Sequence, residues 1–129
     1  MKRNMDDLFL ILVMLMATEI HADQSNLSHA YKNCLDRINS TTEMLACSVT
    51  ERKFQDNRLN QAYQKVLKAL NNEQKKQLQT VQRLWIPYRD ANCTFYSDND
   101  GGTVSSLNIN ACLIEMTAQR AVELERFKQ

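Results

Sequence analysis

The sequence predicts an all-α domain, a small four-helix bundle-like fold stapled by two disulfides. Three observations carry that expectation. Only two glycines and one proline occur in 129 residues, and the glycines are adjacent, so long uninterrupted helices are the natural outcome. Apolar residues recur at intervals of three and four, with no strand-like alternation. Four cysteines, Cys34, Cys47, Cys93 and Cys112, follow an export-type leader, which places the chain where disulfides persist.

The leader is read over residues 1–22. Lys2 and Arg3 give it a basic start, and Leu8 to Ala17 is an apolar run too short to cross a bilayer as a helix. A polar stretch then ends in a small residue, so cleavage is expected after Ala22. No cysteine directly follows the apolar run, so no lipid anchor is expected, and the mature protein should be soluble and periplasmic or secreted. The remaining residues, 23–129, suffice for one domain with a single core.

The first helix is outlined by Leu27, Tyr31, Cys34, Leu35 and Ile38, with Ser25 or Asn26 available to cap it. Ser40-Thr41-Thr42-Glu43 is a capping-box pattern and starts the second helix. Its apolar stripe runs through Met44, Cys47, Phe54, Leu59, Ala62, Tyr63, Val66, Leu67 and Leu70, with a bend expected near Thr50, where the stripe skips a position. Asn71-Asn72 stops that helix and caps a third, which should bury Leu78, Val81, Trp85, Tyr88 and Phe95. Pro87 falls inside it and predicts a kink near Leu84. Ser97 to Ser106 is polar and aperiodic and forms the principal loop. A last helix then carries Ile109, Cys112, Leu113, Met116, Leu124 and Phe127 toward the core.

Four cysteines allow three connectivities. Cys34 and Cys47 flank the turn between the first two helices, and Cys93 and Cys112 flank the large loop, so this local pairing asks least of the fold. Each bridge is worth about 3 kcal/mol in the chain-entropy model. No pair has CxxC spacing, and His29 is the one histidine left after cleavage, so no metal and no cofactor is expected.

Charge and motif content exclude several functions. Without the leader the chain carries fourteen basic and twelve acidic residues, a net charge of +2 that does not favour nucleic acid. Lys75-Lys76 reads as a solvated helix side. Gly101-Gly102 lacks the preceding strand and following lysine of a phosphate loop. His29, near the N-terminus of the first helix, reads as an exposed structural residue rather than a general base. Asp56 and Asp90, on different helices, are the one carboxylate pair that an enzyme of this sequence could use, although salt-bridged carboxylates are the commoner outcome. The protein is therefore read as a non-enzyme.

A constellation of polar residues is woven into the apolar faces. It comprises Asp56-x-x-Leu59-Asn60-x-x-Tyr63, Gln82-x-x-Trp85-x-x-Tyr88-Arg89-Asp90-Ala91-x-Cys93, Gly101-Gly102, and Cys112 with Thr117, Arg120 and Leu124. In these motifs the chain resembles the LprI family, which carries the name of a mycobacterial lysozyme inhibitor; the likeness runs from about Cys34 to Leu124. The resemblance implies a stoichiometric inhibitor of a c-type lysozyme or other muramidase. The alternative is a non-catalytic periplasmic binding or assembly factor acting through a helix face.

Physically, the motif reads mainly as scaffold. Asp56 and Asn60, one turn apart, with Arg89, Asp90 and Arg120, can form a network that fixes helix register, while Trp85 and Tyr63 fill the core. Partner contacts are then expected from the loop. Asp98 and Asp100 would steer it to a basic enzyme surface, Gly101 and Gly102 would let its backbone approach the cleft, and Ser105 or Ser106 would hydrogen-bond the catalytic carboxylates.

Overall fold

The structure, a computed structural model, describes residues 26–95, 97 and 101–127. Helices α1 (His29–Leu35), α2 (Thr41–Ala69), α3 (Asn72–Phe95) and α4 (Thr103–Glu125) account for nearly all of them, with no strand among the described residues. The expected leader lies outside that range. No described helix is long and apolar enough to cross a membrane.

Local signals explain where the helices begin. Ser28, rather than Ser25 or Asn26, caps α1, its Oγ accepting from the Tyr31 N–H at 3.0 Å. The helix is shorter than its apolar spacing suggested: Ser28 starts it and Asp36 ends it, and the preceding Asn26 carbonyl accepts from Gln55 and Arg58 of α2. At α2, Ser40 Oγ accepts from the Glu43 N–H, and Glu43 reaches back to the Asn39 N–H at 2.8 Å. The Asn39 hydrogen bond holds the Glu43 carboxyl below its ordinary value, with Ser40 helping. Asn71 and Gln74 exchange the equivalent pair of bonds at the start of α3. Helix α2 continues past Thr50, whose hydroxyl donates to the Ala46 carbonyl, and α3 continues past Pro87.

Helix α4 packs against both long partners, most extensively against α2, and α1 lies on α2. Small buried residues, Ala62 on α2 and Thr117, Ala118 and Ala121 on α4, let the α2 and α4 backbones approach closely. The apolar core is built from Leu59, Ala62, Val66, Leu70, Ala121 and Leu124, with Tyr63, Leu78 and Trp85 packed against it. Both disulfides have the local connectivity, Cys34–Cys47 and Cys93–Cys112. Met116 lies over the second, its Sδ 3.7 Å from Cys93 Sγ.

Several residues assigned to the core are exposed: Met44 and Phe54 on α2, Val81, Tyr88 and Phe95 on α3, and Phe127 beyond α4. On α3 the inward face is shifted. It carries Leu78, Gln82, Trp85, Arg89 and Cys93, because Gln82 and Arg89 find polar partners on α4 that solvent-facing positions would not supply. The principal loop is also shorter than expected. It ends at Gly102, and Ser105 and Ser106 belong to the first turn of α4, with Ser105 buried.

Candidate functional site

The family-type motif converges on Arg89. Its Nη1 donates to Thr117 Oγ1 at 3.0 Å and lies 3.3 Å from Asp56 Oδ1, while its Nη2 lies 2.9 Å from Asp90 Oδ1. Its guanidinium carbon stands 5.2 Å from the centroid of the Trp85 ring. One side chain of α3 thus ties α2 through Asp56 and α4 through Thr117. The two carboxylates considered for catalysis do meet, on opposite sides of this guanidinium, in ion-pair geometry. Asp56 and Asp90 are half-exposed, so both pairs are weak; the Asp56 pair links α2 to α3, whereas Asp90, the chain neighbour of Arg89 on α3, orients its guanidinium.

Arg120 stands apart from that cluster. It is buried on α4, donates to Gln82 Oε1 at 3.2 Å and pairs with Glu123 at 2.7 Å. It joins α4 to α3 at a second point, one helical turn from Thr117. Asn60, expected beside Asp56 in the network, is exposed on the outer side of α2. Leu59 belongs to the core, Tyr63 packs against it half-buried, and Tyr88 is exposed.

A second polar cluster, absent from the sequence reading, lies where α2 meets the N-terminal segment. Glu51 is buried and accepts from the Ser28 N–H at 2.9 Å, the Ser28 hydroxyl and the Gln55 side-chain amide at 2.8 Å. Gln55, fully buried, also donates to the Asn26 carbonyl. Arg58 adds a bond to that carbonyl and a two-pronged pair with Glu125 at 2.7 and 2.8 Å. That pairing raises the Arg58 pKa and lowers that of Glu125, in each case chiefly through their mutual hydrogen bonds. The signal was present in the sequence. Extending the Leu59, Ala62, Val66 stripe backward by threes and fours reaches Gln55, Glu51 and Ser48.

Between α1 and α2 runs a cleft of about 700 Å³, lined by Tyr31, Ile38, Arg37, Phe54, Glu51 and the Cys34–Cys47 bridge among others. Between α3 and α4, Gly101 and Gly102 take φ of +69° and +89°, a region that favours glycine, and hand the chain to α4. Asp98 and Asp100 fall outside the described residues. His29 is exposed on α1. Among the described residues, no group of three or more His, Cys, Asp or Glu side chains is placed to hold a metal ion.

These features define a disulfide-braced helical domain whose motif residues hold helices together. The chain belongs to the LprI family: the family profile described as "Lysozyme inhibitor LprI" matches residues 32–124. It is also similar to an uncharacterized protein of Rhizobium meliloti (strain 1021), 26% identical over 104 residues that cover 70% of this chain and 75% of that one. No solved structure gives a significant match.

Proposed function

We propose that the protein is an exported, stoichiometric inhibitor of lysozyme-type peptidoglycan hydrolases, working in the periplasm or outside the cell after removal of residues 1–22. The observation that carries this reading is membership of the inhibitor family over residues 32–124. The geometry is compatible with it, since Asp56 and Asp90 are engaged with Arg89 in a structural clamp. Inhibition is by occlusion. The segment from Asp98 to Gly102 enters the cleft of a basic muramidase, carboxylates first, and Ser106 at the start of α4 supports it. The Cys93–Cys112 bridge braces the ends of that segment and lowers the entropy lost on docking. Ser105, being buried, is a packing residue here rather than a contact.

The test is residual activity of a c-type lysozyme on cell walls, titrated with the oxidised mature protein. A stoichiometric loss that disappears on disulfide reduction, and that Asp98→Lys with Asp100→Lys abolishes, supports the reading. Full lysozyme activity at a large molar excess removes it. A second reading, a non-catalytic binding factor, draws on the α1–α2 cleft; under it the loop changes are silent and Phe54→Asp abolishes capture of a periplasmic partner.

A further inference from the structure

The two bridges differ in what else holds their sulfurs together. Cys93 is 1% exposed, and Met116 covers its bridge, with Sδ 3.7 Å from Cys93 Sγ and 3.9 Å from Cys112 Sγ. Helices α3 and α4 are also joined by Arg89 to Thr117 and by Arg120 to Gln82, so breaking that bridge leaves its two thiols side by side. Cys34–Cys47 instead lines the open cleft between α1 and α2. Cys34 sits on a seven-residue helix with no buried residue, so little besides the bridge keeps it near Cys47.

The part of α2 beneath α1 and its lead-in is polar. Ser48, Glu51 and Gln55 are almost fully buried, yet each finds a partner in residues 26–31: Ser48 in the Tyr31 hydroxyl, Glu51 in Ser28, and Gln55 in the Asn26 carbonyl. Water takes over such hydrogen bonds when the covering segment lifts away. The apolar core begins at Leu59, beyond these residues, and is not uncovered. Undocking of α1 is therefore a local opening rather than a loss of the core.

We propose that Cys34–Cys47 is a reducible switch: a dithiol reductant opens it through the cleft and releases α1, while Cys93–Cys112 and the packing of α2 to α4 persist. One thiolate of the reductant attacks the sulfur of Cys34, which is half-buried where Cys47 is buried. The S–S bond breaks, and its electron pair passes to Cys47 Sγ, which takes a proton from solvent. The second thiol of the reductant, as thiolate, then attacks the reductant's own sulfur in the mixed disulfide, closes a disulfide within the reductant and frees Cys34, which is protonated in turn. Two electrons have passed from the dithiol to the bridge. With α1 released, the effective concentration of Cys34 at Cys47 falls, and reclosure is disfavoured relative to the thiols that α3 and α4 hold together.

The experiment treats the oxidised mature protein with graded dithiothreitol, traps the thiols by alkylation at intervals and locates them by peptide mass spectrometry. Amide exchange is then followed on the species with two thiols. The expected result is that Cys34 and Cys47 are alkylated at least about tenfold faster than Cys93 and Cys112. The species so formed loses protection in residues 29–35 relative to the oxidised protein and keeps it in α2 to α4. Reduction of Cys93–Cys112 at an equal or higher rate overturns the proposal. So does a protein reduced at Cys34 and Cys47 in which α1 stays protected or α2 to α4 lose protection with it.

Discussion

Glu51 of α2 holds Ser28 by two hydrogen bonds, one from its backbone N–H and one from its hydroxyl, inside the protein. The Ser28 oxygen in turn accepts from the Tyr31 N–H, so one carboxylate orders the entry to α1. Replacing Glu51 by alanine leaves the Gln55 amide and the Ser28 donors without their acceptor. Each buried donor so stranded costs about 1–3 kcal/mol, and partial relief by water places the net loss at about 2–4 kcal/mol. Urea unfolding at neutral pH measures it. Glu51→Gln should fall between, because its amide keeps one acceptor oxygen; wild-type stability in Glu51→Gln would show that the carboxylate contributes nothing specific.

The two disulfides should fail differently. Helix α1 has seven residues and none is buried, so its attachment rests on Cys34–Cys47, the Glu51 bonds and the 3.2 Å contact between the Tyr31 and Ser48 hydroxyls. Cys93–Cys112 instead joins α3 to α4, with Cys93 buried. In Cys34→Ser/Cys47→Ser, amide exchange should accelerate mainly in α1 while α2 to α4 remain protected. In Cys93→Ser/Cys112→Ser, protection should fall across the domain by about 3 kcal/mol. Uniform loss of protection in both double variants would contradict a peripheral α1.

Arg89 offers a test of how the motif works. Thr117 is fully buried and its hydroxyl takes the Arg89 bond, whereas Asp56 and Asp90 reach solvent. Arg89→Met should therefore cost about 1–3 kcal/mol, through the abandoned Thr117 oxygen and the lost contact with Trp85. Asp90→Asn should cost less than about 1 kcal/mol, since an exposed pair is weak. Thermal unfolding of the two variants decides the ordering, and a larger loss in Asp90→Asn would reverse the account of the site.

Helix existence was legible because capping chemistry is local. Ser40 with Glu43, and Asn71 with Gln74, mark their helix starts without reference to the rest of the chain. The local disulfide pairing followed from the same layout. Which face turns inward was less legible on α3, where apolar periodicity pointed to Val81 and Tyr88 while Gln82 and Arg89 went inside. Periodicity counts hydrophobic side chains, yet the α3–α4 contact is stabilised by Thr117 and Arg120, which supply hydrogen bonds from another helix. Glu51 and Gln55 were missed for the same reason. A buried polar side chain is identified by its partner, and Ser28 and Asn26 are more than twenty residues away in sequence. Arg120, expected to join the Arg89 network, bridges α4 to α3 through Gln82 instead.

Acid should weaken the α2–α4 contact through Glu125. The bonds from Arg58 lower the carboxyl pKa below its ordinary 4.5, with nearby Arg126 and Lys65 helping, while the Arg58 pKa is raised and its charge persists throughout. A carboxyl with a depressed folded-state pKa contributes stability that is fully present above its unfolded value. That contribution declines as pH falls below about 4.5 and is gone once the folded carboxyl is protonated. Glu43, lowered by the Asn39 N–H, acts in the same direction. Much of the Arg58–Glu125 pair is open to water, so its share stays below about 1 kcal/mol and shrinks in high salt. Unfolding curves of wild type and Glu125→Gln should consequently separate at neutral pH and converge in acid, with the gap narrowed by added salt. A gap that stays constant from neutral pH into strong acid would mean that the Glu125 charge is not what secures Arg58 to α4.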